Sequence, residues 1–301
     1  MQVTLTHNPT AGDEEHSAER LTSLLAEAGH EVRYQSVKDD GWEAALASPG
    51  DLVVVAGGDG TVRRVFKELA GRPISVALLP FGSANNVART LGLTDDDPDG
   101  LARGWHDGGR RPYDVGELSS AWSLTRFVES VGGGIFAELL ARAEDGDDDL
   151  DPEEKEERGL ELLLSVIDGA RALPWALELD GRDLSGEFLA VEVMNIREIG
   201  PNVPLAPEAS PGDGLFDIVV VGPDHRRPLA TYLRSREQDR AVGPPHLPRS
   251  RGRRLSMRFP AECPLHVDDQ LWPEDGRSLP GGEAVVVVSD ARVQLIHPSG
   301  L

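Results

Sequence analysis

The fold is decided by residues 52–61, which read Leu-Val-Val-Val-Ala-Gly-Gly-Asp-Gly-Thr. The apolar run Leu52–Ala56 predicts a buried strand, and apolar residues at helical spacing from Val62 to Leu69 predict a helix directly after the glycine loop. A glycine loop between a strand and a helix lets backbone amides approach anionic oxygens, and the helix N-terminus adds positive potential. We therefore expect Gly57–Thr61 to bind a phosphate, with Asp59 placed to handle Mg²⁺ or a hydroxyl proton. A tight turn is the simpler alternative.

Two more polar loops follow predicted strands. Residues 8–12, Asn-Pro-Thr-Ala-Gly, come after the first strand, and residues 80–86, Pro-Phe-Gly-Ser-Ala-Asn-Asn, come after the strand Ile74–Leu79. In an open α/β sheet, ligands bind outside the carboxyl ends of the strands. Each loop alone is explained by a turn or a helix cap, but three of them together indicate one shared crevice.

A chain of 301 residues fits two domains better than one. Strand and helix signals alternate up to about Pro112, which predicts a parallel sheet covered on both faces, a three-layer α/β domain at residues 1–112. Strand signals then follow one another, and Asp180-Gly181 signals a hairpin. Residues 113–301 are therefore predicted to form an antiparallel β-rich, sandwich-like domain, with the last strand, Ala291–Ile296, able to return to the first domain. The predicted strands of this part are 123–130, 175–179, 187–194, 216–221, 255–259 and 284–289, and the predicted helices are 135–142 and 159–173.

Composition excludes several classes of protein. The formal net charge of −22 argues against nucleic acid as a partner. A single cysteine, Cys263, excludes an intrachain disulfide, and no apolar run approaches the length that spans a membrane, so we expect a cytoplasmic protein. The basic stretch Arg249–Arg254 is the best candidate for transient, peripheral contact with an anionic membrane surface. The chain has no Gly-x₄-Gly-Lys-Ser/Thr string and is not a P-loop NTPase.

The loops resemble those of the diacylglycerol kinase catalytic-domain family, the soluble bacterial lipid kinases related to sphingosine and ceramide kinases. Residues 8–12, 57–61 and 80–86 match its Asn-Pro-x-x-Gly, Gly-Gly-Asp-Gly-Thr and Pro-x-Gly-Thr-x-Asn patterns. Residues 206–217 (APEASPGDGLFD) and 266–270 (HVDDQ) are similar to its two C-terminal motifs. Those later segments favour this family over NAD kinases and phosphofructokinases, which use similar glycine loops.

The resemblance implies an ATP-dependent lipid kinase, which transfers the γ-phosphate of Mg-ATP to the hydroxyl of diacylglycerol or a similar lipid. It implies Asp268 as the general base and Asp59 as the second catalytic carboxylate. Asp213 would hold a structural Mg²⁺ with the carbonyls of Ser210 and Leu215. A homodimer is left open. The residues implied in nucleotide binding are Asn8, Pro9, Thr10, Ser36, Gly57, Gly58, Asp59, Gly60, Thr61, Gly82, Ser83, Asn85 and Asn86.

Two departures from the family pattern leave other functions open. Arg63-Arg64 stands where the family has Asn-Glu, and Asp269-Gln270 stands where it has Gly-Glu. A kinase of a soluble acceptor such as NAD is one alternative, and a nucleotide-binding regulatory protein with weak or no turnover is another. For Asp213 and Asp268 themselves, the simpler alternative is a turn residue.

Overall fold

The computed structural model describes residues 1–11, 16–94, 97–143, 152–237, 242–273 and 280–299. The chain divides into two compact units, one of Met1–Val115 with Ser289–Leu301 and one of Gly116–Val288. The first unit thus extends slightly beyond the predicted boundary at residue 112, and the C-terminal segment belongs to it.

Strands and helices are numbered in chain order. The strands are β1 (Gln2–His7), β2 (Glu31–Ser36), β3 (Leu52–Gly57), β4 (Ser75–Pro80), β5 (Gly109–Tyr113), β6 (Gly116–Ser120), β7 (Leu124–Phe127), β8 (Ser130–Gly134), β9 (Leu173–Leu179), β10 (Arg182–Asp183), β11 (Gly186–Phe188), β12 (Ala190–Met194), β13 (Glu198–Ile199), β14 (Val203–Pro204), β15 (Phe216–Val221), β16 (Arg249–Gly252), β17 (Arg254–Phe259), β18 (Leu265–Val267), β19 (Gln270–Trp272), β20 (Gly282–Val288) and β21 (Val293–His297). The α-helices are α1 (Ala18–Glu27), α2 (Asp59–Leu69), α3 (Asn86–Leu91), α4 (Pro98–Gly104), α5 (Ile135–Arg142), α6 (Pro152–Gly169) and α7 (Arg226–Glu237), and 3₁₀ turns span Trp42–Ala47 and Pro223–His225.

The first unit is built on a six-stranded sheet in the order β2-β1-β3-β4-β21-β5. Neighbouring strands from β2 to β21 run parallel, and only β5 at the edge is antiparallel. Every residue of β3 is buried, as an apolar run between two helical layers requires. The parallel α/β prediction is confirmed, and the last strand lies inside this sheet, between β4 and β5.

The second unit contains two antiparallel sheets, with strand orders β10-β9-β17-β20-β6-β7 and β16-β15-β12-β8-β18-β19. Side chains from both sheets, such as Trp175 and Val286 of the first and Phe216 of the second, form one buried apolar core. The predicted β-rich architecture is therefore confirmed. Asp180 and Gly181 both have positive φ, 50° and 81°, which suits the predicted two-residue hairpin between β9 and β10.

Helices α5, α6 and α7 accompany the second sheet. Helix α5 packs against β8 and β18, and α6 packs between α5 and α7. Helix α6 begins at Pro152 and ends at Gly169, both earlier than the predicted 159–173. It ends earlier because residues from Leu173 onward form β9. Helix α7 was not predicted. No helix in the described ranges is both long and apolar enough to cross a membrane.

Candidate active site

Four neighbouring strands of the first sheet end at the same level. His7 pairs with Ser36 and Ala56 across β1, β2 and β3, and Gly57 pairs with Pro80 across β3 and β4. The carboxyl ends of these strands therefore form one edge. All the predicted nucleotide-binding residues lie at this edge, in the strand ends, in the loops or in the helix starts that follow. Convergence of the loops follows directly from this register.

The first loop is a compact turn built on Asn8. Its side-chain Oδ1 accepts hydrogen bonds from the backbone amide of Thr10 at 3.3 Å and from the Thr10 hydroxyl at 2.9 Å. The Asn8 amide donates to Ala56 O at 2.9 Å, which ties the turn to the end of β3. Pro9 and Thr10 are exposed at the edge. Gly12, the last residue of the motif, lies outside the described residues.

The second and third loops touch through glycines. A Cβ at Gly82 would lie 2.4 Å from the Gly58 Cα, and a Cβ at Gly58 would lie 2.8 Å from the Gly82 Cα. Backbone atoms cause both clashes, so any side chain at either position would push the two loops apart. The Phe81 amide donates to Gly57 O at 3.1 Å and fixes the contact.

Asp59 joins the same two loops electrostatically. Its Oδ2 accepts the Asn86 amide at 2.9 Å and its Oδ1 accepts the Val87 amide at 3.0 Å, so it caps α3 from a different element. Asn85 holds the turn before α3 in a left-handed conformation, with φ of 51°, and its side chain bonds both the amide and the carbonyl of Gly82. Asp59 is therefore an organising residue of the edge, a role that its position in the glycine loop did not reveal.

Besides Thr10 of the first loop, three predicted residues carry a hydroxyl, and they differ in their surroundings. Ser36 is buried at the end of β2, and its Oγ accepts the Lys38 amide at 3.1 Å. Thr61 is buried in the first turn of α2, where its Oγ1 would lie only 2.7 Å from a Cβ at Gly57. Ser83 is exposed on the third loop. Of the three, Ser83 presents its hydroxyl most openly to a ligand.

The two arginines after the glycine loop have different environments. Arg64 donates to Val37 O at 3.1 Å, and its guanidinium lies 4.8 Å from the centre of the Trp42 ring. Arg63 is buried, and its Nη2 would lie 3.4 Å from a Cβ at Gly60. Arg63 thus places positive charge beside the glycine loop. Nothing in the sequence pattern distinguishes Arg63 from Arg64.

His7 is a further residue of this edge that sequence patterns missed. Its Nδ1 lies 3.1 Å from the Tyr34 hydroxyl, at the end of β1. Burial, with a smaller contribution from His16, lowers the pKa of His7. The imidazole is therefore neutral at physiological pH and adds polarity without charge.

Asp268 lies in the second unit, in the turn between β18 and β19. It is buried, its φ is 55°, and its Oδ1 accepts the amides of Val128 and Glu129 at 2.9 and 2.8 Å. Asp269 and Gln270, which follow it, are exposed. Asp268 is therefore a turn residue, as the simpler alternative held, and its carboxylate is also fixed in orientation.

Asp213 is held by protein donors. Its Oδ1 accepts the Leu215 amide at 3.0 Å, its Oδ2 pairs with the Arg251 guanidinium, and its own amide donates to Ser210 O at 3.3 Å. A guanidinium already neutralises the carboxylate that the resemblance assigns to Mg²⁺. These contacts fit an arginine-bridged turn and do not fit a divalent cation.

The same arginine belongs to a wider ion-pair cluster. Arg249 Nε lies 3.2 Å from Asp217 Oδ1, and Arg251 Nε lies 3.7 Å from Asp217 Oδ2. Burial raises the pKa of Asp217, and the two arginines oppose that effect. Two cations of the basic stretch 249–254 are thus paired with carboxylates, although Arg251 itself is exposed, as are Arg253 and Arg254. Contact with a membrane through this stretch remains a prediction.

The arginine bridge makes a prediction about metal dependence. Mg²⁺ without nucleotide should leave the melting temperature of the wild-type protein unchanged, because Arg251 already balances Asp213. Arg251→Met should melt lower and should regain stability when Mg²⁺ is added, since Asp213 loses its cation and Asp217 loses one of two. Thermal melts of both proteins with EDTA or MgCl₂ test this, and Arg251→Met/Asp213→Asn is the control that should not respond. A wild-type stabilisation by Mg²⁺ that Asp213→Asn abolishes would contradict it.

Comparison with known proteins gives matches over most of the chain. Residues 2–118 match the model of the diacylglycerol kinase catalytic domain, and residues 136–288 match that of the YegS C-terminal NAD kinase beta sandwich-like domain. A diacylglycerol kinase of Bacillus subtilis is 28% identical over 296 residues, 91% of this chain and 90% of that protein. A Pseudomonas aeruginosa protein named "Probable lipid kinase YegS-like" is 32% identical over 225 residues, 71% of this chain and 70% of that protein. The crystal structure of a diacylglycerol kinase from Bacillus anthracis, 21% identical, shares the fold with a TM-score of 0.72 over 99% of this chain and 97% of that one.

Proposed function

Because the chain belongs to the diacylglycerol kinase catalytic-domain family and is therefore a kinase, we propose that it phosphorylates a lipid hydroxyl with Mg-ATP. The observation that carries the proposal is the common edge of β1, β2, β3 and β4, where the polar loops lie together. Phosphoryl transfer depends mostly on positioning and on neutralising the phosphates, with little covalent help from the protein. The polar loops at this edge would supply groups for both positioning and neutralising the phosphates.

ATP fits this edge for three physical reasons. Gly58, the residue before α2, has no side chain, so an anionic oxygen can approach the first turn of the helix. Arg63 adds a cation beside the loop, and the Ser83 hydroxyl is exposed to a ligand. The Mg²⁺ that accompanies ATP neutralises its phosphates and enters as part of the substrate. Asp59, the carboxylate within the glycine loop, is the residue that would approach this ion.

A lipid acceptor is supported by the relatives and by one surface feature. The relatives carry the names diacylglycerol kinase and lipid kinase. At the turn between β6 and β7, Trp122 is 36% exposed, and Leu124, the first residue of β7, is 71% exposed. Trp122 also stacks on Trp272, with ring centres 5.4 Å apart, so the exposed tip is firmly supported. An apolar tip suits a substrate that resides in a lipid phase, because the tip can enter the membrane–water interface where such a substrate lies.

Asp268 is the proposed general base. A carboxylate at the acceptor hydroxyl takes its proton as the phosphorus–oxygen bond forms, and the leaving group is ADP. The amides of Val128 and Glu129 hold Oδ1, which fixes the direction in which the carboxylate can meet a hydroxyl. The exposed Asp269 and Gln270 lie outside this hydrogen-bonded arrangement.

An acceptor panel tests the proposed function. The full chain is incubated with Mg-ATP labelled in the γ-phosphate and with diacylglycerol, ceramide or monoacylglycerol in mixed micelles, or with NAD in solution. We expect label in one of the lipid products and none in NADP. Label in NADP alone would contradict the lipid acceptor, and bound ATP with no labelled product in any arm would leave a regulatory nucleotide-binding protein. Reactions without Mg²⁺ serve as the blank.

A further inference from the structure

A buried pair of ionisable side chains lies in the second sheet of the second unit. Glu192 on β12 and His266 on β18 have exposed side-chain fractions of 0% and 1%, and their Oε2 and Nε2 atoms are 2.8 Å apart. Buried ionisable groups are costly unless they are paired and hydrogen-bonded. The residues that this pair contacts should therefore explain why two ionisable side chains are buried here.

A glycine makes this contact possible. Strand β8 runs between β12 and β18, and Gly132 is the register partner of both Glu192 and His266. A Cβ at Gly132 would lie 2.2 Å from Glu192 Oε2. The missing side chain opens a path across the middle strand, so that residues two strands apart can meet.

The second ring nitrogen of His266 connects the pair to the proposed base. Nδ1 lies 2.8 Å from the backbone carbonyl oxygen of Asp268. A carbonyl only accepts hydrogen bonds, so Nδ1 must carry a proton and donate. One more proton then lies between His266 Nε2 and the Glu192 carboxylate, and it keeps the buried pair neutral overall.

The energetics agree with a firmly held shared proton. Burial raises the pKa of Glu192. Burial acts to lower the pKa of His266, but the Glu192 carboxylate and the hydrogen bonds to Glu192 and Asp268 outweigh it and raise that pKa. Loss of the proton would leave an uncompensated buried negative charge, which is why both values move upward.

The backbone of Asp268 is in the left-handed region, which aspartate adopts more readily than most residues with a Cβ, and two hydrogen bonds hold it there. Its amide donates to Ser130 O at 2.8 Å, and its carbonyl accepts from His266. The two bonds fix the peptide groups on both sides of the Asp268 Cα, and they thereby set where the carboxylate lies.

We propose that His266 and Glu192 are positioning residues for the reaction: Glu192 orients the imidazole, and the imidazole holds the Asp268 turn so that its carboxylate meets the acceptor hydroxyl. This inference rests on the proposed function, in which Asp268 is the base. Neither residue touches a substrate. Their effect is on the geometry of catalysis, where displacements near 1 Å cost about a hundredfold in rate.

Two pairs of variants in the full chain test the proposal kinetically. Glu192→Gln keeps a hydrogen bond to His266 Nε2, since the amide N–H can donate to the neutral ring, whereas Glu192→Leu removes it. His266→Asn keeps a donor for the Asp268 carbonyl, whereas His266→Leu does not. We expect kcat to fall about tenfold to a hundredfold in the leucine variants, with the KM for ATP unchanged. The Gln and Asn variants should retain most of the activity.

The matched control is Val286→Ala. Val286 is fully buried in the other sheet, so shortening its side chain should lower stability but leave kcat unchanged. A leucine variant that folds and keeps the wild-type kcat would overturn the proposal. So would an equal loss of activity in Val286→Ala at matched stability, because general destabilisation would then explain the effect.

A spectroscopic measurement on the wild-type protein avoids variants that fail to fold. Long-range ¹H–¹⁵N spectra of histidine-labelled protein should show Nδ1 of His266 protonated, with a proton that exchanges slowly with solvent. An unprotonated Nδ1 would overturn the proposal, because that nitrogen could not donate to Asp268.

Failure of this proposal can be told apart from failure of the proposed function. If Asp268→Asn keeps full activity, Asp268 is not the base and the proposed mechanism fails first. If Asp268→Asn is inactive while His266→Leu and Glu192→Leu fold and turn over normally, only the positioning role is overturned.

Discussion

Replacing Asp268 by asparagine should lower kcat by about 10²–10⁴-fold, the usual loss when a general base is removed. Asparagine keeps an oxygen for the amides of Val128 and Glu129, and it tolerates the left-handed backbone that the turn requires. The turn should therefore survive while proton acceptance is lost. Because the proposed nucleotide-binding residues lie in the other unit, stabilisation of the variant by Mg-ATP should equal that of the wild type.

The matched control is Asp269→Asn, which makes the same chemical change at the exposed neighbouring position. Its kcat should stay within a few-fold of the wild-type value, a range typical of surface changes away from special features. Initial rates at saturating Mg-ATP give kcat for each variant, and a thermal melt of each shows whether it is folded. Equal rates for the two variants would contradict a base at Asp268.

Asp59→Ala should abolish both turnover and the rise in melting temperature that Mg-ATP produces. The change leaves the amides of Asn86 and Val87 without their acceptor, and it loosens the contact between the glycine loops. Loss of a helix cap costs about 0.5–2 kcal/mol of unfolding free energy, so the protein should still fold. A ligand that binds only the native state stabilises it by mass action, so the lost shift reports lost binding.

Asp97→Ala provides a control with the same kind of damage elsewhere. Asp97 caps α4 through the Gly100 amide at 2.8 Å, and residues of α4 contact His30 at the opposite end of β2. The two variants should lose similar stability in buffer, but only Asp59→Ala should lose the response to Mg-ATP. A normal Mg-ATP response and normal turnover in Asp59→Ala would remove the glycine loop from the mechanism.

The features that could be predicted are those with strong local signals. The apolar run of β3 has no polar residue to suggest a surface, so a buried strand was the only economical interpretation. The glycines from position 57 onward and the short polar loops marked the ends of strands. Helix α5 matched its predicted range, 135–142, because its apolar spacing is regular.

Other features depend on partners distant in sequence and could not be predicted. Strand β5 reads Gly-Arg-Arg-Pro-Tyr and is mostly exposed, and it becomes a strand only because β21 returns beside it. The role of Asp59 as a cap depends on α3, 27 residues later. The Arg251–Asp213 pair joins a strand to the turn before β15, and the Glu192–His266 pair joins two strands; both pairs meet only in the folded protein. No spacing rule identifies such pairs from one sequence.

The central claim is that the loops at the carboxyl ends of β1, β3 and β4 bind Mg-ATP. Amide hydrogen exchange of the wild-type protein, with and without saturating Mg-ATP, tests it most directly. Peptides that cover residues 8–11, 57–61 and 81–87 should exchange more slowly with the nucleotide, and the same peptides of Asp59→Ala should not change. Unchanged exchange in all three peptides, with protection appearing in another part of the chain, would contradict the account.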